Sequence, residues 1–232
     1  MLIGEAIQEV LSLYGKGVQS DDSRLTPRHI YNTLRSLRNM LLSEKSKKRQ
    51  KISQWNYQTL PCVELIKAHA SECPCIPPTG CEILKTKYPI PKILTNYDSH
   101  LMQSVTTLDG ETKFDEISWT DKKNKKGNKY TADKPDYFFR NNHLFITHKS
   151  KIKAVTMTGL FEDPIEVEKF PSFCPCTDCE DCTDIFDKEF PFDEDGMPRL
   201  IEMAVEKLVG KFSQGMEDTT NNSRDTPVEQ TK

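Results

Sequence analysis

The chain has 232 residues, 36% of them hydrophobic and 29% charged, which suits a soluble globular protein with one sizeable core or two small ones. No run of about 18 apolar residues is present. Glu5 and Glu9 stand in MLIGEAIQEVLSLYGKG, where a secretory signal needs positive charge followed by an apolar stretch, so export by that route and a membrane partner are not expected. The net charge of −3 conceals a segregation: from Arg28 to Lys51 eight Lys or Arg face Glu44 alone, and from Glu162 to Asp195 thirteen acids face only Lys169 and Lys188. Opposed regions of this kind pair within one chain or between copies.

In chain order, Ile3, Ile7, Val10 and Tyr14 recur at helical spacing, with Gly15 and Gly17 as a stop. After the polar loop QSDDSR, Thr26 as N-cap and Pro27 at the first helical position open a second helix with the stripe Ile30, Leu34, Leu37 and Leu41. The two stripes are expected to pack on each other and on the core, as a helical hairpin forming an N-terminal region over 1–55. Residues 56–170 read as an antiparallel β-domain. LPCVELIKA is short, apolar and partly β-branched, and the next stretch, broken by Pro74, Pro77, Pro78, Pro89 and Pro91, reads as a structured loop with an edge strand. Asp109-Gly110 predicts a two-residue hairpin turn, Asn141-Asn142 a second turn, and Lys153–Phe161 a further strand. The strands are expected to curl into a small sandwich or barrel, with TDKKNKKGNK as a long exposed loop. An acidic cysteine-rich loop over 171–195 leads to a helix over 196–213, starting near Met197-Pro198, with the stripe Ile201, Val205, Leu208 and Phe212 widened by Leu200 and Ala204. The tail 214–232 has no apolar periodicity and is expected to order only on a partner. The fold class is α+β.

The segment FPSFCPCTDCEDCTD places Cys174, Cys176, Cys179 and Cys182 within nine residues. These are the candidate metal ligands, and zinc is the cofactor their spacing admits. Structural zinc sites draw ligand pairs from two separated knuckles, so four ligands from nine residues would be cramped; two of them combined with two from Cys73, Cys75 and Cys81 would close a tetrahedron more readily. A reducing compartment demotes disulfides, and thiols packed as small hydrophobes in an acidic connecting loop need no cofactor. The histidines at 29, 69, 100, 143 and 148 form no HExxH pattern, and there is no phosphate loop, GxSxG elbow or nucleotide fingerprint, so no enzyme is expected. Arg28, Arg35 and Arg38 on the second helix, with KSKKRQK at its end, suit phosphates or an acidic protein surface. The isoelectric point near 6.0 favours a protein partner, which makes these arginines a candidate assembly interface.

DDSRLTPRHIYNTLRSLRNMLLSEK, ISQWNYQTLPCVELIKA, CPCIPPTGC, KGNKYTADKPDYFFRNNHLFITH and FPFDEDGMPRLIEMAVEKLV together resemble virion structural proteins of crAss-like phages of gut bacteria, over about residues 20 to 212. The resemblance implies a portal-vertex or tail ring protein, made in the host cytoplasm and found in the virion. It implies self-assembly into a ring, expected to be dodecameric, that contacts the portal and other ring and tail proteins. Such a ring joins capsid to tail and surrounds viral DNA without reading its sequence. A zinc-dependent nucleic-acid-binding regulator using the cysteines and KSKKRQK is the alternative from another class.

Overall fold

Helix α1, Ile3–Tyr14, starts where Leu2 N donates to Glu5 Oε2 at 2.8 Å, a side chain reaching back to an otherwise unpaired first-turn donor. Helix α2, Pro27–Lys47, starts as its sequence predicts: Thr26 Oγ1 accepts from His29 N, and Pro27 occupies the first turn. Helix α4, Met197–Ser213, completes the helical layer, after a short helix α3, Pro164–Glu168, capped by Asp163. The computed structural model describes residues 1–15, 25–69, 83–97, 99–118, 121, 134–147, 152–174 and 184–213, with side chains as far as 210. Cys73, Cys75, Cys81, Cys176, Cys179 and Cys182, the lysine-rich loop 122–129 and the tail fall outside them.

The helical core holds Ile3, Ile7 and Val10 of α1, Ile30, Leu34, Leu37 and Leu42 of α2, and Met197, Leu200, Ile201, Ala204 and Leu208 of α4. Both N-terminal helices thus lie against a helix from the far end of the chain. Leu41, predicted for the stripe, is half-buried on the wall of an open cleft, while Leu42 is fully buried.

Among the described residues nine strands follow the alternating segments: β1 Gln58–Lys67, β2 Ile83–Thr86, β3 Thr95–Asn96, β4 Ser99–His100, β5 Met102–Thr107, β6 Lys113–Glu116, β7 Asp136–Arg140, β8 His143–Thr147 and β9 Ala154–Gly159. Seven of them close a barrel in the order β1-β2-β8-β7-β6-β5-β9, and β3 with β4 forms a separate small ribbon. The strands therefore curl into a barrel and do not stack as a sandwich. The expectation of a wholly antiparallel sheet needs correction at one pair, because β6 and β7 run parallel, with Asp115 opposite Asp136. The intervening chain is long enough to return to the starting end, which a parallel connection requires.

The turns follow their residues. Asn141 and Asn142 both take positive φ, 50° and 59°, giving the two-residue turn between β7 and β8. At Asp109-Gly110 the predicted two-residue turn is instead a four-residue loop, because Thr107 N donates to Thr112 O. Gly110 supplies φ +74°, and the Asp109 carboxylate accepts from the Thr107 hydroxyl and Glu111 N.

Alternation fills the barrel with Leu60, Val63, Val105, Phe114, Leu144, Ile146, Val155 and Met157. Phe138 and Phe145 belong to a separate small cluster with Ile83, where their rings stack 5.1 Å apart. The two large cores meet at β9's end, where consecutive residues divide: Leu160 enters the helical core and Phe161 the barrel core.

Candidate functional site

The segregated charges of the sequence meet inside one protomer. Arg38 is wholly buried between the helical layer and the barrel. Its Nε donates to Pro191 O at 2.8 Å, Nη1 to Phe161 O at 2.9 Å and Nη2 to Asn56 O at 3.3 Å. One planar guanidinium thus joins three segments far apart in sequence from three separate nitrogens, a spread that the single compact ammonium of lysine lacks. Burial lowers its pKa to about 10, against the opposing pull of Tyr31 and Asp163, so it is still charged at neutral pH. One turn earlier Arg35 pairs with Asp163, whose other carboxylate oxygen accepts from Tyr31 Oη at 2.7 Å and Ile165 N at 3.0 Å. Burial, then the hydrogen bond and charge of Asp163, drive the Tyr31 phenol well above its usual range. Further along, Lys45 pairs with Asp193 at 2.9 Å, and Asn56 Nδ2 donates to the same carboxylate at 2.8 Å. Burial alone would raise the Asp193 pKa; Lys45, Ser53 and Asn56 outweigh it and hold the carboxyl below its ordinary range.

This arrangement corrects the reading of Arg38 as part of an outward interface. Arg38 is unavailable to another subunit because it lies at the centre of the protomer, and Arg35 is already paired. Of the three arginines only Arg28 is exposed. The spacing held a signal for Arg38: it lies four residues after Leu34 and four before Leu42, both fully buried, so its position belongs to the buried side of α2. Exposed basic residues cluster instead at the helix's last residue and just past it, at Lys47, Lys48, Arg49 and Lys51.

Beside the junction is an open cleft of about 1140 Å³ between the end of α2, the start of β1 and the segment entering α4. Six carboxylates and three basic side chains line it, and Lys45 and Asp193 already pair with each other. Trp55 is on its rim and 78% exposed. Nothing in the local sequence marks this indole as exposed, since an exposed tryptophan and a core one look alike there.

Cys174 does not stand alone. It pairs as a disulfide with Cys62, a residue outside both cysteine clusters, with Cα atoms 5.7 Å apart and a sequence separation of 112. The demotion of disulfides is therefore corrected at this pair. Cys62 lies in a bulge of β1, where the register shifts between Leu60 and Val63 and φ is 55°. Its carbonyl accepts from Phe173 N at 3.0 Å, which brings the Cys174 segment to the strand. A disulfide sulfur is no thiolate, so this pairing and metal ligation by Cys174 exclude each other. Among the described residues no group of three or more His, Cys, Asp or Glu is arranged to hold a metal ion. The described histidines have local partners: His100 pairs with Glu116 at 2.7 Å over the Phe139 ring, and His143 Nδ1 lies 2.9 Å from Thr86 O. No described helix is long and apolar enough to cross a membrane.

Sequence comparison places the chain among the structural ring proteins of crAss-like phages. It belongs to the phage tail ring protein 2 family, whose profile matches residues 5–228. It is 29% identical over 219 residues to Ring protein 2 of Bacteroides phage crAss001, covering 90% of this chain and 91% of that protein. The resemblance read on residues 20 to 212 thus extends over nearly the whole chain, and a nucleic-acid-binding regulator is set aside as its class.

Proposed function

We propose that the chain is a non-enzymatic subunit of an oligomeric ring at the portal vertex, joining portal to tail and continuing the channel through which viral DNA passes. The observation that carries this reading is the family match over residues 5–228. Like copies close a ring through two different faces of the subunit, expected here in a dodecamer. Because Arg35, Arg38 and Lys45 are engaged inside the protomer, ring contacts fall to other surfaces of the subunit. A net charge of −3 suits a channel that DNA slides through without being held. Native mass spectrometry of the purified chain, alone and mixed with the portal protein of the same phage, tests the proposal. Rings of the chain with one copy per portal subunit are expected; a chain that stays monomeric in both samples overturns the portal-adjacent placement.

The reading requires no cofactor. Zinc on Cys174, Cys176, Cys179 and Cys182 is a separate proposal, which rests on four thiols within nine residues and requires the Cys62–Cys174 disulfide to be reduced. Elemental analysis decides it: one equivalent of zinc in protein purified under reducing conditions supports it, and metal-free protein of unchanged stability overturns it.

A further inference from the structure

We infer that the Trp55 cleft is a docking site for an extended cationic segment of another protein in the particle. Three features of the cleft agree on a donor-rich, positively charged occupant. Its wall is dominated by acceptors: Glu44, Glu189, Glu194 and Asp195 have no cation partner among the described residues, while Lys48 and Arg199 are the lining cations outside the Lys45–Asp193 pair. Gln58, which also lines it, has a buried Oε1 with no hydrogen-bond partner among the described residues. Trp55 offers an open indole face, and a cation over indole is the strongest of the aromatic–cation pairings. A 78% exposed tryptophan forgoes the burial that usually stabilises so large an apolar ring, and tryptophan is a residue type enriched where interfaces concentrate their binding energy.

Size and symmetry narrow the occupant. The volume of about 1140 Å³ exceeds the roughly 300–1,000 Å³ of small-molecule sites and suits a stretch of polypeptide. A second copy of this chain fits less well. Its exposed cations nearest to hand, from Lys47 to Lys51, adjoin the acidic wall, and Lys48 lines the same cleft. Adjoining opposite charges are self-complementary only about a two-fold axis, which closes a pair, whereas a ring needs its contacts on separate faces. A different protein is the donor to which this obstacle does not apply, and in this respect alone the inference rests on the ring reading.

The test is calorimetric titration of the full chain with an end-capped octapeptide of alternating arginine and glycine, alongside its glutamate counterpart and spermidine. A Trp119→Phe chain, in which Trp55 is the single tryptophan, reports the indole by fluorescence. Expected are saturable binding of one arginine peptide per chain, weakening with salt, and a changed Trp55 emission. Affinity should fall at least tenfold in Trp55→Ala and in Glu194→Gln with Asp195→Gln, and less than twofold when the exposed Glu9 and Glu202 become Gln. Equal losses in the two charge-matched pairs, spermidine binding as tightly as the peptide, absence of binding, or a cleft closed by dimerisation of the chain would each overturn the inference. None of these results bears on whether the chain forms rings, so the two readings fail separately.

Discussion

The Arg38 junction and the Trp55 cleft are neighbours built from the same two charged stretches, yet they use charge in opposite ways. At the junction every cation described has an acceptor: Arg38 takes three carbonyls, and Arg35 and Lys45 each take a carboxylate. In the cleft, carboxylates outnumber cations two to one and the largest side chain on the rim faces solvent. The segregation seen in the sequence is therefore two features laid over each other. One part is internal fastening between the helical layer and the barrel; the remainder is surface left for something else.

Truncating Arg38 should break the first region most severely. Arg38→Ala leaves three buried carbonyls without a donor and opens a cavity, a loss of about 3–5 kcal/mol, which is a large share of a typical domain's stability. The urea midpoint should fall sharply, and Arg38→Lys should recover only part of it. A double change of Arg35 and Arg38 to Glu would disturb folding as well as assembly, so it cannot isolate an interface. Next in size, Cys62→Ser should cost about 2–4 kcal/mol in oxidising buffer and almost nothing when both proteins are kept reduced, as expected for a cross-link spanning so long a loop.

Acid sharpens the comparison more gently. The Asp193 carboxyl is held below its ordinary value of 3.8, so its contribution is fully present above that pH and is lost as the pH falls through the lower folded-state value. Lys45→Met should flatten that part of the stability curve between pH 5 and 2, measured by chemical unfolding. The smallest effect belongs to the cleft: Trp55→Ala should leave unfolding within about 0.5 kcal/mol of the unaltered chain, since the ring has little burial to lose. A larger drop would mean that the indole belongs to the fold and not to a docking surface.

Local chemistry was legible in the sequence wherever one segment decides its own conformation. Thr26-Pro27 at the start of α2, the Asn141-Asn142 turn and the start of α4 at Met197 all appear as their residues predict. What local pattern leaves open is partner choice. The parallel β6–β7 pair depends on where a long connection returns the chain, and Cys62–Cys174 joins residues 112 apart. Arg38 was misread because its residue type says surface while its helical position says core. The cleft could not be read at all, since an acidic wall and an exposed indole arise only when the end of α2, the start of β1 and the chain entering α4 come together.

The helical layer is assembled from both ends of the chain, with the barrel inserted between them. During synthesis α1 and α2 emerge first, but the face that α4 covers waits for some 160 further residues, on the order of ten seconds at about 5–20 residues per second. The barrel, whose closing strands β1 and β9 both precede α4, has all its strands available before then. A nascent chain of this protein therefore presents a completed barrel carrying two sticky helices. That is the stage at which chaperones would find it, and at which truncated products would clump.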